Sequence, residues 1–116
     1  MDENCIFCKI INKEIPANIV YEDEYTLAFH DINPAAPIHV LVIPKKHIKS
    51  IIDVTAEDNI IIQKIHETVR TVAEKLELDQ TGFRLIVNCG VDGGQEVPHL
   101  HFHILGGKKL GPKIAH

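Results

Sequence analysis

The sequence lacks several features that mark specialised classes of protein. No apolar run approaches the roughly 20 residues of a transmembrane helix, and the chain contains neither an internal repeat nor a low-complexity segment. The formal net charge of -4 argues against nonspecific binding to nucleic acid or to an anionic membrane surface. Residues 1–5 are acidic and do not have the basic-then-apolar layout of a signal peptide. We therefore expect neither a nucleic acid nor a membrane as a partner.

Cysteines are few and odd in number, with 3 in 116 residues. Together with the missing export signal, this count favours reduced thiols in the cytoplasm over a disulfide framework. Apolar residues make up 45% of the chain and charged residues 24%, as in an ordinary soluble globular domain. A chain of this length buries roughly two-thirds of its unfolded surface, which is enough for one core. We therefore expect a single cytoplasmic domain over residues 1–116.

Apolar periodicity predicts strands at both ends of the chain and one long helix between them. Strands are predicted at 19–22, 25–31, 38–43, 83–88 and 98–105. Apolar residues recur at three- and four-residue spacing over 61–76, which predicts an amphipathic helix of roughly 20 residues with its N-cap near Thr55. A short helical turn is expected at 5–12. The loop 89–97 is too short for a parallel crossover, so we expect an α+β fold with an antiparallel sheet and the helix on one face.

Three histidines, His99, His101 and His103, alternate with large apolar residues near the C-terminus. Successive side chains of a strand point to opposite faces, so the three rings are expected on one face at about 6.5 Å spacing. The apolar residues between them then face the other way, under the helix. Three imidazoles in register are uncommon on a solvated surface. They indicate either ligands of one zinc ion or a nucleophile assisted by its neighbours.

A glycine-rich loop, 89–97, leads directly into the histidine strand. Its glycines allow backbone N–H groups to approach an anion closely, although a flexible connector has the same composition. Beside imidazoles, such amides suit a phosphoryl group in transfer. Asn88 is either an amide donor to the same site or a turn residue. His39 lies in an apolar strand and gains functional interest only if that strand is next to the three histidines.

The first two cysteines, Cys5 and Cys8, have the spacing of ligands to a tetrahedral metal, but only two ligands stand there in sequence. A redox dithiol is disfavoured, because no thioredoxin-like βαβ unit follows. Two unrelated reduced thiols are an alternative to a metal site, since free cysteine is a common small core residue. Cys89 is expected to be a plain buried thiol.

Three segments of the chain, IFCKIINKEIPA, AFHDINPAAPIHVLVIPKKHI and NCGVDGGQEVPHLHFHILGG, resemble the histidine triad (HIT) family and, within it, the Hint branch. The last segment fits the family signature His-φ-His-φ-His-φ-φ, in which φ is an apolar residue. The resemblance extends over residues 5–107. It implies a HIT-like fold with a roughly five-stranded antiparallel sheet, one long helix and a short N-terminal helix. It also implies a sheet that continues across a homodimer.

The resemblance implies a hydrolase that binds purine nucleotides and cleaves nucleoside 5'-phosphoramidates or related adenylyl substrates. By analogy, His101 attacks the α-phosphorus and forms a covalent nucleotidyl-histidine, which water then hydrolyses. His103 contacts the phosphate and assists proton delivery to the leaving group, and His39 belongs to the hydrogen-bonded chain that orients His101. This chemistry requires no cofactor. The alternatives are a nucleotide-binding adaptor with little turnover, a dinucleoside polyphosphate hydrolase, and a zinc hydrolase with the metal on the triad.

The nucleotide-binding positions of the family have matching residues in this chain. Asp31 corresponds to the residue that binds the ribose hydroxyls. Phosphate oxygens are expected near Asn88 and the backbone amides of Gly94, Glu96 and Val97. The walls of the base pocket match Ile6, Phe7, Ile10, Phe29, His30, Ile32 and Leu41. Glu96 replaces the serine of many Hint proteins, and the tail 108–116 lacks the Trp-Pro-Pro ending of eukaryotic relatives.

Several bacterial relatives bind zinc through a Cys-x-x-Cys pair and two histidines. The matching residues here are Cys5, Cys8, His47 and His99. Four protein ligands make a closed and therefore structural zinc site. Such a site would tie the N-terminal segment 1–12, which carries base-pocket residues, to the histidine strand.

Overall fold

The structure is a computed structural model that describes residues 4–112. The ends of the predicted N-terminal segment (1–12) and tail (108–116) lie outside the described residues. In chain order the elements are α1 (Ile6–Ile11), β1 (Ile19–Glu22), β2 (Thr26–His30), β3 (Ile38–Pro44), α2 (Asn59–Lys75), α3 (Leu78–Thr81), β4 (Arg84–Val87) and β5 (Phe102–Gly106). Two 3₁₀ turns, Ile51–Asp53 and Ala56–Asp58, precede α2. Within residues 4–112 no helix has both the length and the apolar character needed to cross a membrane.

The five strands form one antiparallel sheet in the order β1-β2-β3-β5-β4. β1 and β2 form a hairpin, as predicted. β3 lies between β2 and β5, with Leu41 opposite His103. The strand that contains His39 is therefore next to the strand that contains His103. His39 thus meets the requirement, stated above, for a functional role beside the three histidines. The predicted α+β fold with an antiparallel sheet is confirmed.

The long helix α2 follows a capping box that the sequence reveals only in part. Thr55 is the N-cap of the preceding 3₁₀ turn, and its partner is Asp58, whose carboxylate accepts from the Thr55 N–H. Along α2, Ile65, Val69 and Val72 are buried against the sheet. Burying each such side chain contributes roughly 1.5–3 kcal/mol, so a charged residue at Val69 would detach the helix from the sheet.

The sheet separates two apolar cores. On one face, Leu100, Phe102 and Ile104 pack in the core that contains α2, as predicted. On the other face, Leu41 packs with Phe7 of α1. Side chains alternate along an extended chain. The two histidines between Leu100, Phe102 and Ile104, which are His101 and His103, therefore face the α1 side of the sheet.

The last strand, β5, begins at Phe102, four residues later than predicted. Phe102 is opposite Val42 on one side and Val87 on the other, and these are the last pairs of both ladders. The chain before Phe102 has no strand beside it in the described part of the protein. His99 and His101 therefore lie outside the paired strand, and the predicted start of this strand at residue 98 is wrong.

Candidate functional site

The four predicted metal ligands, Cys5, Cys8, His47 and His99, lie together and are here called the cysteine–histidine cluster. Cys5 is the N-cap of α1 and Cys8 lies inside it, so one helical turn presents both sulfurs. The Nδ1 of His99 is 3.2 Å from the Sγ of Cys5 and 3.1 Å from the Nδ1 of His47. The Sγ of Cys8 is 3.3 Å from the Nδ1 of His47. All four ligand atoms lie within 4.8 Å of one another.

These distances are close to those in a tetrahedral metal site, and the shortest are slightly below them. With metal–sulfur bonds of about 2.3 Å and metal–nitrogen bonds of about 2.0–2.1 Å, the ligand atoms of such a site are roughly 3.3–3.8 Å apart. The Nε2–H of His99 donates to the carbonyl of Pro44 at 2.9 Å, which leaves the Nδ1 lone pair for the metal. Burial lowers the pKa of His99 to about 4, so the ring is neutral at pH 7. A neutral imidazole with a free Nδ1 is the form that coordinates a metal.

The remaining histidines of interest border a cavity of about 270 Å³, here called the histidine cavity. Its lining residues are Asp31, Asn33, His39, Asn88, Gly94, Glu96, His101 and His103. The three predicted catalytic histidines are among them. Of these residues, only Asn33 was not predicted to belong to a site.

The ring of His101 is held in one tautomer and one orientation. Its Nδ1–H donates to the backbone carbonyl of His99 at 2.8 Å, so the lone pair of the neutral ring is on Nε2. Phe7 packs edge-on against this ring, with the centroids 5.1 Å apart. An oriented imidazole with a free Nε2 has the arrangement that a nucleophile needs.

A chain of hydrogen bonds sets the tautomers of His39 and His103. The Ala35 N–H donates to the Nδ1 of His39 at 3.0 Å, so the proton of His39 is on Nε2. This Nε2–H donates to the Nδ1 of His103 at 2.9 Å, which leaves His103 with its own proton on Nε2. Burial lowers the pKa of both rings, that of His103 to about 4, against the opposing charge of Asp31. Both rings are therefore neutral at pH 7.

His39 is predicted to belong to the hydrogen-bonded chain that orients His101, and in the structure its Nε2–H donates to His103. Leu41 is opposite His103 in the sheet, so His39, two residues along β3, lies on the same face and reaches the nearer ring. The orientation of His101 comes instead from the His99 carbonyl. The sequence gives no signal for these partners, because which backbone group meets a ring depends on the tertiary fold.

A second group of possible metal ligands lies in the histidine cavity. Asp31, His39 and His103 place ligand atoms within 4.8 Å of one another. Coordination through the Nε2 of His39 would move its proton to Nδ1, where it would face the Ala35 N–H, a second donor. This group therefore suits proton transfer better than metal binding.

A cavity of about 250 Å³, here called the apolar cavity, adjoins the histidine cavity. The seven residues predicted to form the base pocket all line it: Ile6, Phe7, Ile10, Phe29, His30, Ile32 and Leu41. Ile32 is 90% exposed, so apolar surface is open to a ligand. Ile15, Pro16 and Ala17 complete the wall. They were not predicted, although they lie within the first segment that resembles the HIT family.

The glycine-rich loop presents two backbone amides at the boundary of the two cavities. The amides of Gly94 and Gln95 donate to carbonyls within the loop. The amides of Glu96 and Val97 have no hydrogen-bond acceptor among residues 4–112. Both residues line the apolar cavity, and Glu96 also lines the histidine cavity. Free N–H groups at this boundary suit an anion.

Asn88 holds the loop in place. Its side-chain N–H donates to the carbonyl of Gly93 at 2.8 Å, a bond that stabilises the loop. A Cβ atom at Gly93 would lie 2.4 Å from the carbonyl oxygen of Cys89, so only glycine fits there. Cys89 itself is partly exposed, and the prediction of a buried thiol is wrong.

Comparisons with known proteins identify the family of this chain. The HIT domain family matches residues 12–110. The purine nucleoside phosphoramidase of Escherichia coli (strain K12) is 46% identical over 116 residues, which cover 100% of this chain and 98% of that protein. The structure of a histidine triad protein from Clostridium difficile is 55% identical, with a TM-score of 0.93 and 97% of each chain covered. A HIT family hydrolase from Clostridium thermocellum is 52% identical, with a TM-score of 0.95 over 99% of this chain and 100% of that one. The chain belongs to the HIT family.

Proposed function

We propose that the protein is a nucleotide hydrolase that cleaves purine nucleoside 5'-phosphoramidates or related adenylyl substrates. The observation that carries this proposal is the pairing of His101, with its free Nε2, and His103, with its proton on Nε2, at one cavity. The similarity to a purine nucleoside phosphoramidase and to a HIT family hydrolase supports the same activity.

In the proposed reaction, the Nε2 of His101 attacks the α-phosphorus, and the bond from phosphorus to the leaving amine breaks. The departing amine nitrogen takes up a proton from solvent, which the Nε2–H of His103 passes on through its hydrogen bond, so that His103 ends the step as a neutral imidazole. The phosphorylated ring of His101, whose centroid is 5.0 Å from that of His103, carries the positive charge of the intermediate. Water then attacks phosphorus and releases its proton to solvent by the same route, and the bond to His101 breaks to give the nucleoside monophosphate and neutral His101.

The proposed substrate spans both cavities. The purine lies in the apolar cavity, where flat aromatic surface replaces water on the exposed apolar side chains. Asp31 borders both cavities and binds the ribose hydroxyls. The free amides of Glu96 and Val97 donate to the phosphate oxygens. This arrangement puts the phosphorus beside His101.

The test is the release of AMP from adenosine 5'-phosphoramidate. We expect steady turnover by the wild type and a loss of at least about a thousandfold in His101→Ala, because no other group replaces the nucleophile. A wild type no faster than this variant would refute the enzyme and favour a nucleotide-binding adaptor. A substrate panel with a dinucleoside polyphosphate separates the two hydrolase alternatives, since a clear preference for it would contradict the phosphoramidase.

We also propose that the cysteine–histidine cluster binds a structural zinc ion. Two thiolates and two imidazoles fill a tetrahedral shell, so the ion has no position for a substrate and takes no part in hydrolysis. Its role is to hold α1, whose Phe7 contacts His101. Metal analysis should find one zinc per wild-type chain, none in Cys5→Ser, and one in the control Cys89→Ser. A metal-free wild type purified without chelators would refute the site.

We propose, finally, that the protein is a homodimer in which β4 pairs with β4 of a second copy. β4 is an edge strand, and Phe83, Leu85 and Val87 in and beside it are 38%, 48% and 37% exposed. An apolar edge strand of this kind favours pairing with another chain. Sedimentation should show a dimer that Leu85→Lys converts to monomer, while the control Ile52→Lys, at a position 80% exposed, stays dimeric. A wild-type monomer at micromolar concentration would refute the proposal.

A further inference from the structure

The two cavities have an unusual balance of charge for a site that receives a phosphate. Among the described residues that line them there is no lysine and no arginine, whereas two carboxylates, Asp31 and Glu96, border both. His39 and His103 are neutral at pH 7, because burial lowers the pKa of each. Backbone amides are therefore the main positive dipoles available to the phosphate.

The two carboxylates differ in what they already contact. Asp31 accepts the Asn33 N–H at 2.8 Å, and its second oxygen is 3.5 Å from the Nε2 of His39. The side chain of Glu96 is exposed and has no ion pair or hydrogen bond within residues 4–112. Its backbone N–H is also free. Glu96 can therefore bind a phosphate oxygen through its amide while its carboxylate lies beside the group attached to phosphorus.

We infer that Glu96 sets the leaving-group preference of the enzyme and favours phosphoramidates whose leaving amine carries a second, protonated amine. A carboxylate a few ångströms from the leaving group attracts a cation and repels an anion. The same repulsion disfavours polyphosphate leaving groups. This inference rests on the proposed function and adds to it the chemical class of the leaving group.

The test uses three adenosine 5'-phosphoramidates whose leaving amines differ in the charge of the far end. The amines are 1,3-diaminopropane (cationic), butylamine (neutral) and β-alanine (anionic). We expect the wild-type kcat/KM for the cationic substrate to exceed that for the anionic one by roughly tenfold, and this ratio to fall to about two in Glu96→Gln. Raising the salt concentration should reduce the wild-type ratio, because screening weakens exposed charges.

Two further variants make the result decisive. Glu24→Gln makes the same change of charge at an exposed position that lines neither cavity, and it should keep the wild-type ratio. Glu96→Ser repeats the test without the glutamine side chain. Equal wild-type rates on the three substrates, or an unchanged ratio in both Glu96 variants, would overturn the inference alone. No wild-type turnover of the neutral substrate would overturn the proposed function as well.

Discussion

The cysteine–histidine cluster and the histidine cavity both contain histidine rings, but the rings differ in which nitrogen carries the proton. The difference comes from the backbone group to which each ring is hydrogen-bonded. At His99 a carbonyl, that of Pro44, takes the Nε2 proton and leaves Nδ1 free to bind a metal. At His39 an amide, that of Ala35, takes the Nδ1 lone pair and leaves Nε2 as a donor. A carbonyl beside a histidine ring thus leaves a nitrogen lone pair that can bind a metal. A backbone N–H beside the ring instead leaves a ring N–H that can donate to the next histidine.

The two regions nevertheless meet in one short segment. His99 contributes its ring to the cluster and its carbonyl to His101. Phe7 packs against both of these rings, with centroids 5.8 Å from His99 and 5.1 Å from His101. Under the proposed function, a zinc ion in the cluster would stabilise the position of the His101 ring through Phe7 and the His99 carbonyl, without contacting the substrate.

The largest expected effect is on AMP release, and it distinguishes the role of His101 from that of His99. His101→Gln should lose at least about a thousandfold in AMP release and keep its metal, because the nucleophile is gone but all four ligands remain. His99→Gln should lose the metal yet keep measurable turnover. Its backbone carbonyl, which fixes the tautomer of His101, survives the substitution. Metal analysis and AMP release on both variants make the check, and loss of both properties in both variants would contradict the division of roles.

The sequence predicted the fold and the residues of both sites, but not the backbone partners that set the tautomers of the histidine rings. Strand periodicity and the short loop 89–97 predicted the antiparallel sheet, and the resemblance to the HIT family brought together Cys5, Cys8, His47 and His99. It did not give the tautomers, because the Pro44 carbonyl is 55 residues from His99 and no local pattern marks it. The start of β5 at Phe102 was also not predicted. It depends on where the pairing of β5 with β3 and with β4 stops, which no local pattern shows.

A smaller effect is expected at His39. His39→Ala removes the donor to the Nδ1 of His103, so His103 no longer keeps its proton on the cavity side. We expect kcat to fall roughly tenfold to a hundredfold, within the range of a lost acid–base contribution. His39→Gln, whose side-chain amide also donates, should restore part of the loss. The loss of kcat in His39→Ala should be smaller on a substrate with an aryl leaving group, because such a group departs without protonation. An equal loss of kcat on this substrate and on an alkyl phosphoramidate would refute the role of His39 in proton delivery.

The smallest expected effect is on stability at acid pH, and it concerns His103. Its folded-state pKa of about 4 is below the ordinary value of about 6.5, so the unfolded chain binds the proton first as the pH falls. The stabilisation is therefore complete above about pH 6.5 and is lost between pH 6.5 and 4. With a discount for partial exposure, it is about 1–2 kcal/mol.

Urea unfolding between pH 7 and pH 4 in the presence of zinc should show a shallower loss of unfolding free energy in His103→Gln than in the wild type. His66→Gln, at an exposed position of α2, is the matched control, and both variants retain His99 and the other metal ligands. The groups that face His103 are His39, His101 and Asp31, and all three remain in the variant. Parallel wild-type and His103→Gln profiles would mean that His103 is not held neutral by its burial, and the proton chain from Ala35 through His39 would lose its physical basis.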